Sequence, residues 1–375
     1  MVSSFLFRRM PSKTSTSGIL ARQERLRALL EARRIPFLLV THLVNIRYLT
    51  GFTGTAGVVL LGPQRAFLWV DPRYTLEARD QAHGVEVVEE KKGLLHGVAL
   101  WLEKNSVHDV VYEETNLTCA EFQLLRQVAG HSVRMRPGSG LVEDLRVVKD
   151  CGEIEAIRKA GRITARVFDE ILPWIKPGVT ERDLATEIEY RLRRAGAEGA
   201  AFESIVASGP RAAHPHASPS PKPLQEREWV ILDFGAIFNG YAADMTRTVY
   251  LGEPSRRERA LYSAVAKAQS AAVRSVQDGT KASDVDAVAR RVLAERRLAR
   301  CFTHSTGHGV GLEVHERPRI GKREPIRLRA GSVVTVEPGV YIEGVGGVRV
   351  EDTVLVGTEG PEILTPATTE RWVIS

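Results

Sequence analysis

Apolar positions change period along this chain, and the changes mark out its elements. From about Ser17 to Arg34, Ile19, Leu26, Leu29 and Leu30 recur at helical spacing in a charged segment, and Phe37 to Val40 then runs apolar as a strand. Apolar runs at Val58 to Leu61 and Phe67 to Val70 alternate with helix-like stretches at 75–81, 94–104 and about 119–128, as expected of a small α/β domain. Arg136-Pro137-Gly138-Ser139-Gly140 is the most linker-like stretch. A boundary is therefore expected after Gly140, with one domain over 17–140 and a second over 141–375.

Past that boundary a long helix is expected from near Glu153, with Ile154, Ile157, Val167, Phe168 and Ile171 on one face, stopping before Pro173. Thr180 offers the N-cap of a second helix, striped by Leu184, Ile188 and Leu192 and ending at Gly196. Ser255-Arg256-Arg257-Glu258 reads as a capping box opening a helix to about Gln277, and Ser283 as the cap of another reaching about Leu298. Each pair of helices leads to a histidine-bearing loop and then an acid-bearing hairpin. The second domain is expected to be α+β, with helices backing a mainly antiparallel sheet.

The two hairpins are near-copies. Trp229 to Gly252, WVILDFGAIFNGYAADMTRTVYLG, returns about a hundred residues later as Ser332 to Gly357, SVVTVEPGVYIEGVGGVRVEDTVLVG. Asp233 falls on Glu337, Gly235 on Gly339 and Gly240 on Gly344, all offset by 104, and Asp244 on Glu351, offset by 107. Upstream, Gly178-x4-Asp183 echoes in Gly279-x4-Asp284, and Phe202…Gly209…His216 in Phe302…Gly307…His315. Two halves of one internal duplication, related by a pseudo-two-fold axis, would bring four carboxylates toward one centre. Asp233 and Glu337 both interrupt apolar runs, where an acid is costly unless paired or bound to a metal. Unrelated acids in turns have no reason to keep this register.

Composition narrows the classes. With 375 residues, 43% apolar and 26% charged, the chain suits a soluble globular protein of two well-cored domains. The net charge of +6 would admit a nucleic-acid partner, but Lys and Arg are spread among 46 acids without a long basic block, so none is expected. Cys119, Cys151 and Cys301 form no CxxC pair, which points away from a disulfide framework or zinc ribbon and toward a reducing compartment. The opening MVSSFLFRRMPSKTSTSG has the reverse order of a secretory signal and is too short to span a membrane; residues 1–16 are expected to be a flexible leader, with Met10 an alternative start.

Phe302 to Glu316, FTHSTGHGVGLEVHE, carries His304, His308 and His315 among glycines that let backbone and imidazole approach a ligand closely. Four carboxylates and one histidine form an oxygen-rich set suited to Mn, Co, Fe or Zn. Four carboxylates balance two divalent cations, whereas one would leave the site strongly negative. Two ions about 3.5–4 Å apart can share a water, lower its pKa and polarise a carbonyl. The chemistry expected is hydrolysis.

Asp233-x10-Asp244, Gly307-His308-Gly309, Glu337-Pro338-Gly339 and Arg349-Val350-Glu351-Asp352 together resemble the pita-bread metallopeptidases, which include methionine aminopeptidase, Xaa-Pro aminopeptidase, prolidase and creatinase. The resemblance covers the chain apart from its leader. It implies a pita-bread catalytic domain in which Asp233, Asp244, His308, Glu337 and Glu351 are the ligands of a two-metal centre. It further implies Glu337 as proton shuttle, His216 as a substrate contact and His315 as a donor to the oxyanion. His304 becomes a histidine near the proline side of the pocket, with a share in protonating the leaving nitrogen, and Arg349 a cation beside the metal acids. Thr246 and Tyr241 are expected partners of the ligands. His214 carries only a structural expectation, and Arg247 stays open between a salt bridge and a functional role. Relatives commonly have Asn where Arg211 stands and Gly where Ser305 stands, departures that bear on specificity rather than on metal binding.

Asn45 to Gly54 and Asp71-Pro72-Arg73-Tyr74 resemble the N-terminal domain of the proline-specific branch. The resemblance thus implies a cytoplasmic, homodimeric Xaa-Pro aminopeptidase acting on peptides with proline second, with Mn the expected metal and Co, Zn or Fe tolerated. Neither nucleic-acid nor membrane partners are expected. A prolidase restricted to Xaa-Pro dipeptides is the alternative within the class. A non-catalytic pita-bread scaffold, from outside it, predicts missing ligands.

Overall fold

The computed structural model describes residues 16–130 and 132–374, so the leader expected at 1–16 lies outside the described residues except for Thr16. Two compact units divide between Leu145 and Arg146.

The first unit runs α1 (Thr16–Ala32), β1 (Leu38–Val40), α2 (Leu43–Thr50), β2 (Val58–Leu61), β3 (Ala66–Val70), α3 (Thr75–Gln81), β4 (Glu86–Glu89), α4 (Leu94–Lys104), β5 (Asp109–Glu113), α5 (Cys119–Ala129) and β6 (Arg134–Gly138), ahead of the single turn α6 (Glu143–Arg146). Its strands form one mixed sheet in the order β4-β3-β2-β1-β5-β6. Leu39, Leu60, Phe67 and Trp69 of the sheet share a core with Val98, Leu102 and Leu125 of α4 and α5. The linker-like stretch at Arg136 turns out to be largely strand: β6 pairs in parallel with β5, and Arg136 grips both Asp109 oxygens at 2.9 Å. Pro137 is tolerated there because β6 is an edge strand.

The second unit shows one order of elements twice. Its first half is α7 (Cys151–Ile171), α8 (Glu181–Arg194), β7 (Gly199–Ala200), β8 (Ile205–Ser208), β9 (Glu228–Phe234), β10 (Ala236–Phe238), β11 (Tyr241–Ala242) and β12 (Met245–Leu251). Its second half is α9 (Arg256–Ser275), α10 (Ala282–Ala294), β13 (Gly307–Gly309), β14 (Glu316–Ile320), β15 (Val333–Val336), β16 (Gly339–Ile342), β17 (Gly346–Arg349) and β18 (Asp352–Val356), followed by β19 (Pro361–Ile363) and β20 (Val373–Ile374). Each acid-bearing hairpin is an outer pair, β9 with β12 or β15 with β18, carrying a smaller hairpin at its tip. The outer pairs belong to separate sheets, β20-β12-β9-β8 and β14-β13-β15-β18-β19, in which only β12 and β20 run parallel. At the first tip Asn239 and Gly240 (φ 50° and 78°) make a two-residue turn, which needs positive φ at both positions.

In the second unit three of the four α-helices start on a side-chain cap. Asp150 with Glu153 and Ser255 with Glu258 form capping boxes for α7 and α9, and Thr180 caps α8. α10 begins at Ala282, ahead of the cap expected at Ser283. Its N-cap Lys281 makes no side-chain bond; the N–H groups of Ala282 and Ser283 donate instead to the carbonyls of Ile326 and Glu324. Among the described residues no helix is long and apolar enough to cross a membrane.

Candidate metal centre

The four acids sit at the ends of core strands, where sheets bury a side chain without breaking a ladder. Asp233 lies on β9 opposite Thr246 of β12, Asp244 just before β12, Glu337 just after β15 and Glu351 just before β18. His308 is the middle residue of β13. Its flanking glycines are required by close approach: a Cβ at Gly307 would stand 2.0 Å from the Thr335 carbonyl oxygen, and one at Gly309 2.1 Å from that of Arg317.

This packing brings one ligand atom each of Asp244, His308 and Glu351 within 4.8 Å of one another. His308 Nε2 stands 3.6 Å from both Asp244 Oδ2 and Glu337 Oε1. Its Nδ1 lies 3.1 Å from the Gly309 carbonyl, which can only accept, so the neutral ring turns the Nε2 lone pair toward the acids. Two atoms bound to one ion at about 2.1 Å stand at most about 4.2 Å apart, so the 3.6 Å separations suit a shared ion. Asp233 Oδ1 and Asp244 Oδ1 are buried without a hydrogen-bond partner. Such orphaned acceptors are costly, and a cation relieves them. The donor set of carboxylates plus one imidazole fits divalent ions of the Mn, Fe, Co and Zn series.

Electrostatics agree with the packing. Asp244 and Glu351 are raised well above the usual carboxylate range, first by burial and then by neighbouring acids, Asp233 and Glu337 on the former, Asp244 and Glu337 on the latter. Burial pushes Glu337 up to about 8, with Arg349 opposing and Asp233 adding. Desolvation holds His308 and His304 down to about 4, helped by His315 in the first case and Arg349 in the second. Both imidazoles are therefore neutral near pH 7. Acids pressed together in this way keep their charges only beside cations.

One cation is built in. Arg349, 3% exposed, donates from Nη2 to Asp233 Oδ2 (2.5 Å), from Nε to Thr246 Oγ1 (2.9 Å), and from Nη1 to Tyr341 OH (2.8 Å) and the Pro215 carbonyl (3.2 Å). Thr246 Oγ1 donates in turn to Glu351 Oε2 (2.5 Å), so a single guanidinium holds one acid directly and a second through a hydroxyl. Tyr341 OH bridges Arg349 to His304 Nε2 (2.9 Å), while His304 Nδ1 meets the Ser305 carbonyl (2.8 Å). His216 and His315 are exposed, and His315 is lowered by desolvation and by His216, with Asp233 opposing.

Sequence reasoning missed three of these groups. Tyr341 carried a signal: a buried phenol between Glu337 and Arg349 has to find a polar partner. Thr353 is the counterpart of Thr246 at the offset of 107, and its Oγ1 accepts from Asp244 N (3.0 Å) and donates to Asp244 O (2.7 Å). Thr335 Oγ1 accepts from His308 N (3.0 Å). Tyr241, expected beside the ligands, instead spends its proton on Glu153 Oε1 (3.0 Å) at the start of α7. Arg247 takes the salt-bridging role, pairing with Asp352 (2.7 Å) and donating to the carbonyls of Glu351 (2.5 Å) and Ala367 (2.7 Å).

Residues 155–358 match metallopeptidase family M24, and residues 22–148 match the creatinase/prolidase N-terminal domain. The chain belongs to metallopeptidase family M24: it is a hydrolase with a creatinase/prolidase-like N-terminal domain followed by a pita-bread domain. An Xaa-Pro dipeptidase of Pyrococcus horikoshii is 34% identical over 353 residues, 92% of this chain and 96% of that protein. Among solved structures, an Xaa-Pro dipeptidase from Bacillus anthracis is 38% identical with a TM-score of 0.92, covering 95% of this chain and 99% of its own. An X-Pro aminopeptidase from Thermotoga maritima is 35% identical with a TM-score of 0.87, covering 94% and 100%.

Proposed function

We propose that the chain is a two-metal exopeptidase that hydrolyses the imide bond between an N-terminal residue and proline, with Mn²⁺ as its ion. The observation that carries this reading is the convergence of Asp244, His308, Glu351 and Glu337, with buried, unpartnered oxygens on Asp233 and Asp244. Asp233, Asp244, His308, Glu337 and Glu351 would hold the ions, which when bound supply Lewis acidity and a water of lowered pKa.

The chain's own groups supply the rest. Glu337, half-buried and high in pKa, takes the proton of the attacking water on a carboxylate oxygen and returns it to the leaving nitrogen, which lacks its own N–H in an imide. His304 has both ring nitrogens engaged, by Tyr341 OH and by the Ser305 carbonyl, so proton delivery rests on Glu337 and His304 offers its ring as pocket wall. His216 and His315, both exposed and electrostatic neighbours of one another, remain available to donate to substrate and to the developing oxyanion. Arg349 fixes Asp233 and, through Thr246, Glu351. A cytoplasmic homodimer completes the reading; it rests on the family resemblance, and the three free cysteines are in keeping with a reducing compartment.

Hydrolysis of Ala-Pro-Ala and Ala-Pro by metal-stripped protein, with and without added Mn²⁺, tests the reading. Metal-restored release of alanine from the tripeptide is expected, and absence of cleavage of both peptides refutes it. A second reading, restriction to dipeptides, is favoured by the names of the dipeptidases among its relatives and predicts turnover of Ala-Pro alone.

A further inference from the structure

Glu181, the first residue of α8, is fully buried, and both its oxygens are taken by the loop that leads into β9. Ser208 donates to Oε1 from its N–H and its hydroxyl, both at 2.8 Å. Oε2 accepts from Arg211 Nε (3.0 Å), Ser220 N (3.1 Å) and Ser220 Oγ (2.6 Å). Burial alone would raise its pKa, but the bonds from Ser220, Ser208 and Arg211 outweigh it and keep the carboxylate ionised. One side chain thus closes both ends of the loop 208–220, and Arg211 adds a bond to the Ser218 carbonyl (2.7 Å). The tip of that loop is pinned from the other side, where Arg349 donates to the Pro215 carbonyl, one residue from His216.

The second half repeats the device with different residues. Asp286 of α10, 1% exposed, accepts from Thr306 Oγ1 (2.8 Å) and pairs with Arg290 (2.7 Å). Arg290 in turn holds the carbonyls of Phe302 (3.0 Å) and His304 (2.5 Å) and lies 4.2 Å from the centre of the Phe302 ring. The Thr306 carbonyl accepts from Glu337 N (2.8 Å), so this loop is continuous with the acid-bearing hairpin.

We propose that Glu181 and Asp286 are positioning residues, one in each half, that set the loops carrying His216 and His304 against the metal acids. The proposal rests on the reading of those histidines given above. It also accounts for Arg211, since in place of a short amide this chain has a guanidinium that staples its own loop to Glu181.

A double-mutant cycle tests it on purified Mn²⁺-loaded protein with Ala-Pro and Ala-Pro-Ala. Glu181→Gln is expected to lower kcat/KM about tenfold in the parent but less than about twofold in a His216→Ala background, because the loss passes through His216. In a His304→Ala background the tenfold loss should persist. Asp286→Asn should give the mirror result, with Mn²⁺ stoichiometry unchanged throughout. An equal loss in all backgrounds overturns the proposal. Ser220→Ala, which removes one hydroxyl donor and leaves the Arg211–Glu181 ion pair in place, runs the same cycle if Glu181→Gln does not fold. Proton NMR of the metal-stripped protein adds an activity-free readout: Glu181→Gln should move the His216 ring signals and leave those of His304. If His216→Ala costs no activity, the assigned role of His216 fails while the NMR result still decides the loop; unmoved His216 signals sink the inference whatever the activity.

Discussion

In the first half of the second unit, Asp233 stands on β9 and Asp244 before β12; in the second half, Glu337 follows β15 and Glu351 precedes β18. Threonines keep the same correspondence, Thr246 reaching across to Glu351 and Thr353 to Asp244. The imidazole and the guanidinium do not. The offset of 107 puts Ala242 opposite Arg349, and the pairing of Gly209 with Gly307 puts Pro210 opposite His308. Duplication has preserved the ladders and the acids, while the imidazole and the guanidinium set among the four acids come from one half alone. The first half contributes two acids and the bridging Thr246, and the second contributes two acids, the neutral nitrogen of His308 and the cation that restrains Asp233.

That asymmetry predicts that variants of the second half are the more damaging. His308→Ala has the largest expected effect. Loss of partners that merely orient ligands costs metal affinity about 10–100-fold, and removing the nitrogen ligand itself should exceed about a hundredfold and abolish turnover at ordinary Mn²⁺ concentrations. Calorimetric metal titration alongside the peptide assay checks this. Arg349→Met comes next: it strips Asp233 Oδ2 of its donor and Thr246 Oγ1 of the group that orients it, for an expected loss of about 10–100-fold in metal affinity. Metal binding unchanged in Arg349→Met would remove the guanidinium from the comparison.

A smaller effect follows from Glu337. Its folded pKa of about 8 lies above the 4.5 of an unperturbed glutamate, so between those values the folded metal-stripped protein holds a proton that the unfolded chain has released. Stability then falls as pH rises through that window and is fully present below it. His304 and His308, lowered to about 4, act in the opposite sense below about pH 6.5, so the comparison is made above that range: denaturant unfolding of metal-stripped protein should show a lower midpoint near pH 8 than near pH 7, and Glu337→Gln should reduce the difference. Metal binding near pH 7 should release protons, read as a dependence of the titration heat on buffer ionisation enthalpy.

Much of this was legible in the sequence because a repeated motif constrains itself: an acid breaking an apolar strand is suspicious once, and in register twice it marks a shared centre. The helices with side-chain caps were legible for a local reason, since Asp150, Thr180 and Ser255 each sit a few residues from the N–H they satisfy. What stayed hidden depends on tertiary partners. Tyr341 gains its importance from Arg349 and His304, Glu181 from a loop 27 to 39 residues away, and the start of α10 from the 324–326 backbone. The linker reading at Arg136 failed for the same reason, because only the pairing with β5 makes a Pro-Gly stretch a strand.

That hidden start gives the smallest prediction and the finest test of the two halves. α8 has Thr180 accepting from Asp183 N (3.0 Å), in addition to loop carbonyls of Ser220 and Lys222 that take the N–H groups of Arg182 and Glu181. α10 has the matching backbone acceptors but, at the equivalent N-cap, the exposed Lys281, which offers no side-chain oxygen and places a positive charge at the positive end of the helix dipole. Lys281→Thr should therefore stabilise the protein by up to about 1 kcal/mol, and Thr180→Ala should cost about as much. In thermal scans this corresponds to shifts of about 2–4 °C in opposite directions. Equal and small responses at both positions would mean that the backbone carbonyls alone cap both helices, and that at this point the halves are more alike than their sequences.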